Sequence, residues 1–269
     1  MSSVGYKPSL VYEFVGSAIM VYAFNLGAMS DLRGFTYFLC WLLAYHISGA
    51  EFNPATSIAR FFACKQWDQG KELGFTLLAQ FFGALFGIFI ALILVKDTNA
   101  YHLLPEQRGG LYTDSIDIYW GRIILHEVLQ TFLFTTVYLV IRFEPAMRKV
   151  DRIVKGLGAG LTLSVCLSMT AQSGGCLNPA LGIAQSIYMI GLDNRDGSGR
   201  GTTEAKYMWV YIVGPLVGSI FAAIFFILHD YIEKNEYKQN SPVQFLDLRD
   251  TESEGNKKSN EGERSKVWS

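Results

Sequence analysis

Two eight-residue segments carry the densest chemistry in the sequence. Ser48-Gly-Ala-Glu-Phe-Asn-Pro-Ala55 and Ser173-Gly-Gly-Cys-Leu-Asn-Pro-Ala180 share Ser, Gly, Asn, Pro and Ala at identical spacing, 125 residues apart. Proline is favoured at the first position of a helix, and asparagine is among the best residues to cap one. Asn53-Pro54-Ala55 and Asn178-Pro179-Ala180 therefore each predict the start of a short helix. Such a start exposes unpaired N–H groups and the positive end of the helix dipole. Each asparagine caps with its oxygen and keeps an NH2 to turn toward a passing acceptor, while the extended residues just before it offer a ladder of carbonyls. Two such ends meeting head to head repel cations, hydrated protons included, and form a narrow file of donors and acceptors for a small neutral molecule. An ordinary Asn-Pro turn explains one copy; two copies in matched contexts argue against it. No metal-ligand cluster, phosphate loop or nucleophile–base pair accompanies the motifs, so the sequence suggests neither an enzyme nor a cofactor.

The elements that must position these segments repeat as well. Each motif is preceded by an apolar run with an early acid, Glu13 before the first and Glu127 before the second. Each is followed by a glycine-bearing run, with Gly83 and Gly87 in one and Gly214 and Gly218 in the other. Each half thus reads span, span, short piece, span. Three spans per half force the second half into a membrane upside down relative to the first. Inverted repeats with broken helices in matching positions place a site at the membrane midplane between the halves.

The composition demands the membrane. Leu73 to Val95 runs without a charge, as does Tyr207 to Leu228, and the runs 10–30, 34–50 and 123–141 carry only Glu13, His46, His126 and Glu127. A bilayer core needs roughly 20 apolar residues per helix, whereas buried soluble helices stop sooner. The predicted fold is an all-α polytopic membrane protein with six transmembrane helices, at 9–30, 33–50, 72–95, 120–142, 154–173 and 206–231, plus two half-helices, at 54–64 and 179–190, in an inverted repeat. Of 47 charged residues, 15 lie from Glu233 onward, so residues 232–269 read as a disordered cytoplasmic tail. Ser253, Ser259 and Ser265 in it are phosphorylation candidates or simply solvated serines. Residues 1–8 are the cytoplasmic N-terminus, and 9–231 form one domain of two repeats, 9–95 and 120–231. The 142–155 connection holds Arg142, Arg148, Lys149, Arg152 and Lys155, which places it and both termini in the cytoplasm. No signal peptide is evident, and the first span serves as its own insertion signal. A net charge of -1 gives no reason to expect a nucleic-acid partner. The four cysteines form no CxxC pair and read as buried thiols.

The paired motifs, the early acids and the glycine patterns resemble the aquaporin (major intrinsic protein) family across residues 9–231. The resemblance implies a passive channel for water and other small uncharged solutes that excludes ions and protons, assembled as a homotetramer in the lipid bilayer with one pore per subunit. It implies that Asn53 and Asn178 orient the permeant at mid-pore. The pore carbonyls are those of Gly49, Ala50 and Glu51, and of Gly174, Gly175 and Cys176. Glu13 and Glu127 brace the pre-motif loops from behind. His46 matches an inner-pore histidine of the family, with simple packing as its alternative; His126 reads as a packing residue. The glycine pairs imply close helix approach.

The constriction departs from the family pattern. Leu181 stands where an arginine normally follows the second motif. Arg33, twenty residues before Asn53, stands where water channels usually carry an aromatic. Cys166, twelve before Asn178, replaces the histidine frequent in water-selective members, and Gly175 fills the last constriction position. Gly182 stands where glycerol-conducting members often place an acid. Two readings of Arg33 are open: it supplies the guanidinium that Leu181 lacks, or it snorkels at the outer interface and leaves a wider, more apolar mouth for glycerol or larger neutral solutes. Cys166 facing the pore predicts block by a bulky thiol reagent; facing lipid, it predicts none. Two other classes share the architecture, a secondary transporter, which needs titratable groups at mid-depth for ion coupling, and a closed structural or junction protein.

Overall fold

The computed structural model describes residues 6–26, 30–94, 119–170, 173–196 and 200–240. In chain order the helices are α1 (Tyr6–Leu26), α2 (Ser30–Ala44), α3 (Pro54–Ala63), α4 (Gly70–Leu94), α5 (Tyr119–Phe143), α6 (Arg152–Met169), α7 (Pro179–Asp196) and α8 (Arg200–Asn240). No strand occurs among the described residues. Five helices (α1, α4, α5, α6 and α8) are long and apolar enough to cross a membrane, and α2, with 15 residues, is the shorter sixth. The half-helices α3 and α7 begin at Pro54 and Pro179, the first residue after each motif asparagine.

Helix α4 inverts the side-chain distribution of a soluble helix. On α4 the outward face carries Phe75, Leu78, Phe82, Phe86, Phe89 and Ile93, all exposed. The inward face carries Gln80, Gly83, Ala84 and Gly87. Small and polar residues inside and large apolar ones outside are what a lipid solvent selects, since tight packing and hydrogen bonds rather than burial hold such helices together.

Helices α1 and α4 meet at glycine. A Cβ on Gly83 would sit 2.2 Å from the carbonyl oxygen of Phe14, and one on Gly218 of α8 would sit 2.4 Å from that of Val128 on α5. Phe14 and Val128 directly follow Glu13 and Glu127, so each close approach pins the helix turn that carries a buried acid. Between α2, α5 and α6 the core is aromatic. Tyr37 lies edge-on to Phe52 (5.9 Å) and to Phe134 (5.6 Å), and Trp41 lies edge-on to Tyr138 (6.1 Å).

Several boundaries differ from those read in the sequence. Helix α2 ends at Ala44, not 50, because Ile47 and Ser48 both donate to the Ala44 carbonyl and turn the chain toward the first motif. Helix α6 ends at Met169, not 173, closed by Thr170, whose N–H donates to the Leu167 carbonyl. Helix α7 runs six residues past 190. Beyond the compact body ending at Ile227, the second unit begins at Leu228. In it the helix continues to Asn240, into the segment expected to be disordered, with a Lys234–Asp230 pair at 2.5 Å spaced one helical turn apart. Residues 241–269, which include Ser253, Ser259 and Ser265, and the 95–118 connection lie outside the described residues.

A candidate pore between the two motifs

Each half-helix starts with the same cap. Asn53 Oδ1 accepts from the N–H of Ala55 at 2.9 Å, and Asn178 Oδ1 accepts from that of Ala180 at 3.0 Å. The amide ends are crossed. Asn53 Nδ2 donates to the carbonyl of Leu177 (2.8 Å), and Asn178 Nδ2 donates to that of Phe52 (2.9 Å). Each motif is therefore tied to the backbone of the other, and each amide retains one hydrogen.

The segment before each asparagine folds back through left-handed backbone. Gly49, Ala50 and Phe52 have φ of 101°, 58° and 50°; Gly174, Gly175 and Leu177, at the same offsets, have 88°, 66° and 53°. Three of these six are not glycine, and an L-residue in that region costs about 1–2 kcal/mol. A buried carboxylate offsets the cost in each half. Glu13 accepts from Ser48 Oγ (2.6 Å) and from the N–H groups of Glu51 (3.1 Å) and Phe52 (2.7 Å). Glu127 accepts from Ser173 Oγ (2.7 Å), Cys176 N–H (3.1 Å) and Leu177 N–H (2.7 Å). Glu13 has a further donor, Gln80 Nε2 at 2.8 Å.

Tyrosines hold the loops as well. Tyr37 and Tyr138 hydroxyls donate to the carbonyls of Ala50 (2.8 Å) and Gly49 (3.1 Å), and Tyr211 donates to that of Ser173 (2.6 Å). Arg33 Nη1 donates to the Gly175 carbonyl at 2.9 Å. Three of the six carbonyls assigned by resemblance to a pore ladder, those of Gly49, Ala50 and Gly175, thus have protein donors.

A narrow cavity of about 30 Å³ lies between the motifs. Its lining combines polar residues (Arg33, Tyr37, Glu51, Asn53, Cys176 and Asn178) with apolar ones that include Met20, Phe134, Leu163, Leu167 and Leu181. The volume exceeds the roughly 10–15 Å³ that a cavity needs to admit one water molecule. Arg33 is only 8% exposed, with its guanidinium 5.0 Å from the Phe24 ring. It is buried in the cavity wall and not extended to an interface. A larger hollow of about 680 Å³, bordered by Ile58, Phe75, Leu78, Phe81, Ile183 and Ile212, is almost wholly apolar and offers no file of donors and acceptors.

Of the four positions expected at the constriction, Arg33 and Leu181 line the cavity and Gly175 contributes the carbonyl that holds Arg33. Cys166 lies apart. It is fully buried in the aromatic cluster between α2, α5 and α6, and Leu163 and Leu167 face the cavity from that helix instead. Successive helical residues differ by about 100°, and Leu163 and Leu167 share a face that Cys166 does not. His46 is exposed in the turn after α2, edge-on to Tyr45 at 5.2 Å, and is not among the cavity's wall residues. Missed in the sequence were the tyrosine donors, Gln80, and the Glu51–Arg60 ion pair. The one available signal was the presence of Glu and Arg nine residues apart on either side of a helix start.

The chain matches the Major intrinsic protein model over residues 1–226. It belongs to the major intrinsic protein family. The glycerol uptake facilitator protein of Bacillus subtilis is 26% identical over 238 residues, covering 84% of this chain and 76% of the relative. The glycerol uptake facilitator protein-like 6 of Lactiplantibacillus plantarum is 32% identical over 179 residues, covering 66% and 73%. Aquaporin-1 of Rhizophagus irregularis is 27% identical over 232 residues, covering 78% and 74%. Among solved structures, the aquaglyceroporin from Plasmodium falciparum shares the fold with a TM-score of 0.67 at 20% identity, covering 83% of this chain and 96% of that one. As a major intrinsic protein, this chain is an integral multi-pass membrane channel for water, small solutes or both, and not an enzyme.

Proposed function

We propose that this major intrinsic protein conducts water and small uncharged solutes passively, in single file, through the cavity between Asn53 and Asn178, and excludes ions and protons. The observation that carries this reading is Arg33, a buried guanidinium in the cavity wall bound to the Gly175 carbonyl and facing the same cavity as Leu181. It supports the view that α2 supplies the cationic donor that other family members take from the residue after the second motif. The crossed Asn53 and Asn178 amides orient the permeant's oxygen, and the two half-helix N-termini oppose cations. A homotetramer with both termini in the cytoplasm completes the proposal.

A second reading has support of its own. A lining that combines apolar Met20, Leu163, Leu167 and Leu181 with polar Asn53, Asn178 and Arg33 suits the carbon chain and hydroxyls of a small polyol, and two of the relatives are named for glycerol uptake. The test is light-scattering of proteoliposomes after an osmotic step, with sucrose and then glycerol, for wild type and Arg33→Ala. Fast water flux with glycerol excluded, and exclusion relaxed in Arg33→Ala, supports the relocated guanidinium. Fast glycerol entry in both proteins refutes it and favours the polyol reading. No flux above empty vesicles leaves a closed structural member of the family.

A further inference from the structure

Hydrogen bonding alone does not fix the orientation of Arg33. A guanidinium carries its N–H donors in a rigid, planar fork. The Gly175 carbonyl takes one of them, from Nη1, and Nε has no hydrogen-bond partner among the described residues. A single hydrogen bond sets a distance but lets a planar group turn about it. The guanidinium in the cavity wall therefore needs a second restraint.

Phe24 supplies it from α1. The guanidinium carbon lies over the Phe24 ring, 5.0 Å from its centroid. A cation on the negative face of an aromatic ring is attracted by the ring quadrupole, most strongly where water is excluded. Both groups are buried, Phe24 being 3% exposed. Packing holds the ring itself, which belongs to the apolar cluster that includes Val21, Ala84, Ile88 and Leu181. Helix α1 is pressed onto α4, where a Cβ on Gly87 would sit 2.3 Å from the carbonyl oxygen of Ala18. Phe24 is not among the cavity's wall residues, so it acts on a permeant only through Arg33.

The inverted repeat supplies an independent reason. Phe24 follows Glu13 by eleven residues, as Tyr138 follows Glu127. Tyr138 donates its hydroxyl to the Gly49 carbonyl of the first loop, and Tyr37 donates to that of Ala50. The residue matching Ala50 at the 125-residue shift is Gly175, and its carbonyl takes Arg33 in place of a tyrosine. At the position matching Tyr138 the chain has a phenyl ring without a hydroxyl. That ring has no donor for the loop; what it offers is a face, and the face carries Arg33. Phe24 and Arg33 thus stand where the first loop has two tyrosines, with a charge added to the cavity wall.

We propose that Phe24 is a positioning residue for the selectivity of this pore, its ring holding the Arg33 guanidinium in the orientation that discriminates water from glycerol. The inference rests on the reading of Arg33 as the cationic donor of the cavity wall. It extends that reading from the guanidinium to the ring that aims it.

The test measures water and glycerol permeabilities in proteoliposomes of matched protein content for wild type, Phe24→Leu, Arg33→Ala and Phe24→Leu/Arg33→Ala. Phe24→Leu is expected to raise the glycerol-to-water ratio at least about threefold, the scale of one buried cation–π contact. In the Arg33→Ala background the same substitution is expected to leave the ratio unchanged, since no cation remains to be positioned. Phe24→Tyr keeps the ring, as the matching Tyr138 does, and is expected to keep the wild-type ratio. A rise of equal size with and without Arg33 marks Phe24 as a packing residue and overturns the proposal. So does a wild-type ratio in Phe24→Leu when Arg33→Ala has altered it. Where Phe24→Leu is not monodisperse, Phe24→Met is judged by the same criteria. A ratio that Arg33→Ala itself leaves unchanged overturns instead the reading of Arg33 on which the inference rests, and a wild type that passes neither solute overturns the channel reading.

Discussion

Replacing Glu127 by glutamine tests whether a carboxylate, rather than any polar group of that shape, holds the second loop. Glu127 Oε1 accepts from Ser173 Oγ and Cys176 N–H, and Oε2 accepts from Leu177 N–H. A glutamine oxygen in the first position keeps two of these bonds but makes them neutral, at a cost of about 1 kcal/mol each, the difference between bonds to charged and to neutral groups. Its NH2 then faces the Leu177 N–H across the 2.7 Å that Oε2 occupied, and a buried donor left without an acceptor costs about 1–3 kcal/mol. The sum is about 3–5 kcal/mol, enough to release Gly174, Gly175 and Leu177 from their left-handed conformations. Thermal unfolding of purified protein in detergent should then show the midpoint lowered by more than about 5 °C, with permeability down at least tenfold. A midpoint within about 2 °C of wild type and an unchanged permeability would refute the argument that the charged clamp sustains the loop.

Three further outcomes follow from the same geometry. A bulky thiol reagent should leave flux through Cys64→Ser unchanged, because Cys166 is packed among aromatic rings and the buried Cys176 thiol donates to the Asn178 carbonyl at 3.0 Å; permeability with and without reagent decides it. Gly218→Val should fail to give monodisperse protein, since its Cβ meets the Val128 carbonyl, whereas Gly121→Ala, with open space around it, should be neutral or stabilising by up to about 1 kcal/mol; size-exclusion profiles and unfolding midpoints compare them. Asn178→Asp should keep the helix cap at Ala180 but lose the donor to the Phe52 carbonyl, lowering stability by about 1–3 kcal/mol, which thermal unfolding reads against Asn178→Ala, where the cap is lost too.

The fold was largely legible in the sequence because membrane spans and their repetition are one-dimensional signals. Uncharged runs fixed the helices, and Asn-Pro located the start of both half-helices to the residue. Boundaries set by turn geometry were less accessible: at the end of α2 the N–H groups of Ile47, Ser48 and Gly49 share the Ala44 carbonyl, which no local propensity announces. At the site, Glu13 and Glu127 could be read as braces because a buried acid must find donors. The cavity wall on α6 could not, because counting back from Asn178 gives a position in sequence while the facing side depends on how the intervening turn is taken up. The placing of Leu163 and Leu167, not Cys166, on the cavity is one helical step away from that count. Tyr37, Tyr138 and Tyr211 were invisible for a different reason: aromatic residues in apolar runs look like packing until the hydroxyl's acceptor is known.

The crossed amides also impose an order on how the molecule is made. Asn53 finds its acceptor at Leu177, 124 residues later in the chain. At about 5–20 residues per second, ribosomal synthesis delivers that acceptor roughly 6–25 s after the asparagine has emerged. For that interval the first motif has its cap, its clamp on Glu13 and the Tyr37 donor, but no opposite backbone to grip. The midplane joint is thus among the last contacts that synthesis allows. A half-length chain has nothing to close it with, unless a separately made second half reaches the same membrane.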